Sequence, residues 1–245
     1  FDLLGVFDAS TAREWGMHLN STFPDRNLIL VGEPWNGYAE DPQAGERFRL
    51  GNMKNVGDAH LAAFNSNYRE AIKGAGDRAE AAHHRGFMFN NFHEKTDSGW
   101  GIYDGMFGSL YEANGSHSNT EWGRNFAVDP EQTINYISAH DNFALWDKVY
   151  LTLSSNVDQC DDPNKCGHQV FSLTPPSDLS YAKRVVNFGM GMIFTSQGIA
   201  FVHAGDEFLR TKVSNEKMSD ASAWRHGDKH GTHNSYNSPD SFNSI

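Results

Sequence analysis

The run Arg26-Asn-Leu-Ile-Leu-Val-Gly-Glu-Pro-Trp35 decides how the rest of the chain is read. Leu28 to Val31 are apolar without a polar break, and the run ends at Gly32-Glu33. A strand with one wet face alternates apolar and polar residues, whereas an unbroken run marks a strand covered on both sides. Strands of that kind belong to parallel sheets packed between helices.

Working outward, the same alternation of elements repeats. "HLAAFN" (60–65) is a second short apolar run, and it leads into the helix-like "SNYREAIKG", stopped by Gly74. "QTINYISAH" (132–140) predicts the next strand and "FALWDKVYLTL" (143–153) the next helix. The stretch from Asp178 to Gln197 has helical periodicity with Asp178 as N-cap, and "GIAFVHAGDEF" (198–208) predicts a last strand before a polar tail. Upstream, Phe1 to Gly5 is expected to be the end of a strand. Thr11 and Glu14 stand at capping-box spacing, which predicts a helix beginning near Thr11. Residues of about 75–130 read as one irregular insertion rich in Gly, Asn, His and aromatic side chains; so long a loop is usually functional or partly helical. The alternation of strand and helix implies an α/β fold, either a sheet covered on both faces or a barrel. Neither a dinucleotide-binding nor a Walker-type glycine loop is present in the sequence.

Composition narrows the function classes. A net charge of -11 over 245 residues opposes a phosphate-tracking surface, so nucleic acid is not an expected partner. The longest apolar run, Phe188 to Val202, is broken by Thr195, Ser196 and Gln197 and is too short for a bilayer of about 30 Å, so no membrane partner is expected either. Six Trp, eight Tyr and seventeen Phe fit a large core and equally fit a cleft that stacks sugar rings. Cys160 and Cys166, in "QCDDPNKCG", are either two thiols or a small disulfide loop; we lean to the disulfide, and with it to a secreted or extracellular setting. The chain opens in strand-like sequence and stops at "SPDSFNSI", which leads us to expect an excerpt from a longer polypeptide. Oligomeric state is left open.

In parallel α/β folds chemistry gathers at the carboxyl ends of the strands. Those positions hold Asp2, Glu33, Asn65, His140-Asp141 and His203 with Asp206-Glu207, so four of five expected strands lead into an acid. For any single one of these, capping or solvation is the commoner role; Asp141 could cap the helix that follows it. Four together point to paired carboxyl groups, which glycosidic bond cleavage requires. One carboxylate attacks or stabilises an oxocarbenium-like centre, and the other keeps a proton for the leaving oxygen. Glu33, flanked by Val31-Gly32 and Pro34-Trp35, suits the acid; Asp2, short and at a strand end, suits the nucleophile; Asp141 could hold sugar hydroxyls.

The ordered set "FDLLG" (1–5), "VGEPW" (31–35), "SAHDN" (138–142), "SQGIAFVHAGDEFLRTK" (196–212) and "NSYNSPDSFN" (234–243) resembles the α-amylase superfamily, glycoside hydrolase family 13, and within it the type I pullulanases. That resemblance implies a (β/α)8 TIM barrel that hydrolyses α-1,6-glucosidic branches of pullulan, starch or glycogen with retention of configuration. By motif, Asp2 matches the nucleophile after strand 4, Glu33 the general acid/base after strand 5 and Asp141 the transition-state stabiliser after strand 7. His140 matches the histidine that hydrogen-bonds the sugar before the cut, with Asn142 beside it, and Trp35 shapes the cleft near the branch. Asn65 and Arg69 match the strand-6 motif, in which Ser66 replaces the usual Asp. His203 and Glu207, with Asn234, Tyr236 and Asn237, fall around the strand-8 mouth, for sugar contact or for loop ordering.

On this resemblance the barrel is incomplete: strands 4 to 8 are expected, without strands 1 to 3, the arginine two residues before the nucleophile, or the C-terminal β-domain. Five strands cannot close an eight-strand barrel, so the excerpt alone is expected to be poorly soluble and inactive. The chemistry requires no cofactor; a structural calcium is common in relatives, and Asp158 to Asp162 could supply oxygen ligands. An isoamylase, a glucan-branching enzyme, or a non-catalytic α-glucan-binding barrel are the alternatives.

Overall fold

The computed structural model describes residues 1–35, 45–74, 84–90, 97–111, 125–154, 178–216, 223–226 and 229–244. Two compact units emerge: one from Phe1–Tyr68, Trp100–Tyr136 and Ile193–Phe201, the other from Arg69–Gly99, Ile137–Met192 and Val202–Ile245.

The first unit holds a four-stranded, wholly parallel sheet in sequence order: β1 (Leu30–Gly32), β2 (Leu61–Phe64), β3 (Thr133–Asn135) and β4 (Ile199–Ala200). Leu30 pairs with Leu61, Ala63 with Thr133, and Ile134 with Ile199. β1 and β2 come from the unbroken apolar runs of the sequence and are largely buried, as that pattern requires. Helix α1 (Ala9–Thr22) lies against the segment that precedes β2, with Gly16 facing the Ala59 carbonyl where a Cβ would collide. Leu4, Ala12, Leu30, Met53 and Leu61 form the centre of this core. At the strand ends the Phe64 ring meets Tyr136 edge-on at 4.9 Å and Phe201 at 5.2 Å, an aromatic layer tying β2, β3 and β4 together. A partial parallel sheet surrounded by helices is consistent with an incomplete α/β barrel.

Two expectations about this unit are corrected. Phe1–Gly5 does not form a strand of the sheet: Phe1 hydrogen-bonds in strand fashion, giving its amino group to the Val31 carbonyl of β1 and accepting the amide of Glu33 just beyond it. Leu3 then turns left-handed (φ 48°), and Leu4–Val6 close into a single 3-10 turn. Helix α1 starts at Ala9 rather than Thr11, because Asp8 is the cap and accepts the Thr11 amide at 2.7 Å.

The second unit contains α4 (Leu145–Ser154) and most of α5 (Leu179–Thr195), both with buried apolar faces. Asp178 caps α5, accepting the Tyr181 amide at 3.0 Å. Helix α2 (Ser66–Lys73) follows β2 directly, and Gly74 (φ 85°) ends it. Its positive φ and the carbonyl of His84 against its Cα leave no room for a side chain. The insertion of about 75–130 contains α3 (Asp97–Met106) and a bridge between Leu110 and Ala127. The polar tail is not unstructured: β5 (Val213–Ser214), β6 (Ala223–His226) and β7 (Lys229–Thr232) form an antiparallel sheet in the order β5-β7-β6, before a short α6 (Asp240–Asn243). No helix among the described residues is long and apolar enough to cross a membrane. Cys160, Cys166 and the acids from Asp158 to Asp162 lie outside the described residues.

Candidate functional site

Asp2 and Glu33 stand together in the first unit, with carboxylate oxygens within 4.8 Å of each other. Two glycines make this approach possible. A Cβ on Gly32 would lie 2.5 Å from the Leu4 Cβ, and one on Gly5 would lie 2.5 Å from the Trp35 carbonyl carbon. The segment carrying Asp2 therefore dovetails with the segment carrying Glu33, glycine against bulk at both contacts. The Gly5 amide donates to the Glu33 carbonyl at 3.0 Å, and the Leu3 amide donates to the Glu33 side chain at 2.8 Å. The second bond requires the left-handed turn at Leu3, a conformation that costs a non-glycine residue about 1–3 kcal/mol and persists where its surroundings enforce it. Asp2 is exposed, while Glu33 is only 5% exposed and Pro34 beside it is buried. A close pair of carboxylates of this kind can share a proton, flank a reacting carbon, or hold a hard cation such as calcium.

His140 and Asp141 lie in a loop of the second unit, before α4. Asp141 is not the cap of that helix: α4 starts at Leu145, and the carboxylate that accepts the Leu145 amide belongs to Asp206. Asp206 is buried, takes the Ser138 hydroxyl as a donor, and is pushed up in pKa chiefly by burial. The His140 ring nitrogen Nε2 comes within 3.6 Å of Asp141 Oδ1, and both side chains reach solvent. Asn142 follows in the left-handed region (φ 62°). Beneath the loop, the Lys212 ammonium donates to the carbonyls of His140 and Asn142, each at 2.6 Å.

His203 is half-buried and takes the Arg210 guanidinium at 3.1 Å on Nδ1. Burial first, then the charges of Arg210, Lys212 and His140, lower its pKa to about 4, so the ring is neutral at pH 7 and accepts from Arg210. Arg210 also donates to the Asn243 carbonyl at 3.2 Å, and the Asn243 side chain donates to Ser235 at 2.8 Å. The two last sequence motifs are thereby tied to each other. Tyr236, at 73% exposure, and Asn237 project from the ordered loop, whereas the Thr232 hydroxyl donates to the Asn234 carbonyl within it. Glu207 is exposed and accepts the Gly205 amide. Asn65 is fully buried, donates to the Ser109 hydroxyl at 2.9 Å and accepts the Tyr68 amide, so its side chain is engaged in starting α2. Arg69 is buried and paired with Glu70 at 2.6 Å. Lys212, Asp147, Gly5 and Gly32 were not singled out from sequence. A lone Asp in the apolar "FALWDKVYLTL" helix was the one signal pointing to Asp147.

No protein-family model matches the chain. Among known proteins, a pullulanase of Bacillus subtilis (strain 168) is 27% identical over 245 residues, which is all of this chain but 26% of that protein. The chloroplastic pullulanase 1 of Arabidopsis thaliana is 27% identical over 227 residues, covering 80% of this chain and 21% of its own length. Among solved structures, pullulanase from Bacillus acidopullulyticus aligns with a TM-score of 0.67 at 27% identity, covering 99% of this chain and 22% of that one. Apo pullulanase from Paenibacillus barengoltzii aligns at 0.62 and 27% identity, covering 86% and 26%. The chain thus spans about a quarter of the length of the relatives it matches.

Proposed function

We propose, for a chain that is a relative of the pullulanases within the α-amylase superfamily, that the protein carrying it is a retaining glycoside hydrolase of α-1,6-glucosidic branches. The observation that carries the reading is the Asp2–Glu33 pair, with oxygens within 4.8 Å. Retaining glycosidases hold their two carboxyl groups about 5–5.5 Å apart, whereas inverting enzymes leave room for a water between them. In this reading Glu33 gives its proton to the glycosidic oxygen as the Asp2 carboxylate attacks the anomeric carbon. The C–O bond breaks, the leaving chain departs as an alcohol, and a glycosyl ester on Asp2 remains. Glu33, now a carboxylate, takes a proton from water as that water displaces Asp2, restoring both groups. The exposed member of the pair attacks and the buried member carries the proton.

Asp141 and His140 would hydrogen-bond the hydroxyls of the sugar being cleaved, with Asn142, His203, Trp35 and the projecting Tyr236 and Asn237 as further contacts to an α-glucan. The chain would be one portion of a (β/α)8 catalytic domain, its strands β1 to β4 numbered 5 to 8 in the barrel and Phe1 at the position where strand 4 ends, with the insertion of about 75–130 on the same domain. The test is Glu33→Gln and Asp2→Asn in the longest natural polypeptide that contains this chain, assayed for maltotriose release from pullulan. Each is expected to lower kcat by about 10³-fold or more while oligosaccharide binding persists. Undiminished turnover in either variant removes that residue from the mechanism.

A further inference from the structure

We propose that Lys212 is a positioning residue for the His140–Asp141 loop: its ammonium ties the carbonyls on either side of Asp141 and so sets where both side chains meet the sugar. This rests on the reading of His140 and Asp141 as sugar-contacting groups.

The geometry is specific. Lys212 is fully buried, and its Nζ donates to the carbonyls of His140 and Asn142 at 2.6 Å each, with the His233 carbonyl at 3.4 Å. An ammonium has three donors and no acceptor, so three converging carbonyls match it in number. The two short bonds bracket Asp141, one peptide before it and one beyond Asn142. The left-handed turn at Asn142 belongs to the same short bracket and is a conformation Asn tolerates.

The lysine is itself anchored at its backbone. Its amide donates to Asp147 Oδ2 at 2.7 Å, the Thr211 hydroxyl donates to Asp147 Oδ1, and its carbonyl accepts the Thr232 amide at 3.1 Å. Asp147 sits on α4, the helix that grows out of the loop being held. The clamp therefore closes on itself: loop, helix, carboxylate, lysine, loop. Burial lowers the lysine pKa to about 8, and Arg210 and Lys73 push the same way, while Asp147 and Asp141 act to keep it charged. Keeping a charge in this interior is costly, and an apolar side chain of equal volume would fill the space without that cost. An apolar side chain could not, however, hold two carbonyls at fixed points.

The experiment compares Lys212→Met, Lys212→Gln, Asp141→Asn and the parent in the longest natural polypeptide containing the chain, with kcat and KM on pullulan and Tm measured for each. Misplacing Asp141 by about 1 Å should lower kcat in Lys212→Met by about 10²-fold per folded molecule with little change in KM. Lys212→Gln, which keeps two neutral donors, should fall between Lys212→Met and the parent. A filler role alone would lower Tm and yield but leave kcat per folded molecule intact. That result, with Asp141→Asn inactive, overturns the proposal. If Lys212→Met does not fold, Lys212→Gln decides on the same criterion. Undiminished turnover in Asp141→Asn instead overturns the functional reading, and the positioning role with it.

Discussion

The Asp2–Glu33 corner and the His140–Asp141 loop are held by different physics. In the corner, two glycines admit Leu4 and the Trp35 backbone, and main-chain hydrogen bonds lock the two segments together. In the loop, a buried lysine gathers carbonyls, and a buried aspartate holds the lysine. A corner made of packing tolerates no added atom, whereas a loop made of buried ions tolerates no lost partner. Each carries a left-handed residue straight after its acid, Leu3 after Asp2 and Asn142 after Asp141. Steric enforcement is needed for the leucine, and little is needed for the asparagine.

The largest effect should come from breaking the ionic side. Asp147→Ala removes the acceptor of the Lys212 amide and of the Thr211 hydroxyl and takes away the negative charge that does most to keep the buried Lys212 ammonium protonated. A loss of about 3–5 kcal/mol in urea unfolding is expected. A loss under about 1 kcal/mol would show that the clamp adds nothing to the fold. Next comes the packing side. Gly32→Ala places a Cβ 2.5 Å from that of Leu4 and should cost about 1–3 kcal/mol. Leu4→Gly removes the Leu4 Cβ together with the rest of the side chain, so the double variant should lose less than the sum of the two singles. Strict additivity would mean that the dovetail is not what brings the segments together.

Much of this was legible in advance, and the misses have physical causes. β1 and β2 were readable because burial on both faces leaves an unbroken apolar run, and the C-terminal end of α2 and the start of α5 because Gly74 and Asp178 carry the signals that such ends require. The start of α1 was misread because Asp8, Ser10 and Thr11 all offer capping oxygens, and only the fold selects Asp8. The strand expected over Phe1–Gly5 fails at Leu3, whose left-handed turn no propensity for leucine foretells. The sheet β5-β7-β6 was hidden by its short, polar strands. Of the candidate acids, Glu33 could be picked out by its place after an unbroken apolar run. Their supports could not: Lys212 lies 72 residues from His140 in sequence, and nothing local marks the pairing.

A further effect is one of pH, and it belongs to the ionic side. Lys148 is fully buried, gives its ammonium to the His84 carbonyl at 2.7 Å, and has its pKa lowered to about 7, mainly by burial and then by Lys73. Lys212 is lowered to about 8. A lysine with a depressed folded pKa is protonated in the unfolded chain and neutral in the folded one between the two values, so stability rises with pH across that window. The urea midpoint should therefore climb from pH 7 to 9, and Lys148→Met should flatten most of that climb. A midpoint that falls over this range in the parent would contradict the sign.

Asp2 and Glu33 are proposed to act as a pair across one glycosidic bond. The configuration of the first-formed product, followed by proton NMR while pullulan is incubated with the longest natural polypeptide containing this chain, reports on that pairing. A pair within 4.8 Å should release the α-anomer, which then mutarotates towards equilibrium. Initial release of the β-anomer would mean that a water attacks directly, with the two carboxyl groups standing further apart than they do here.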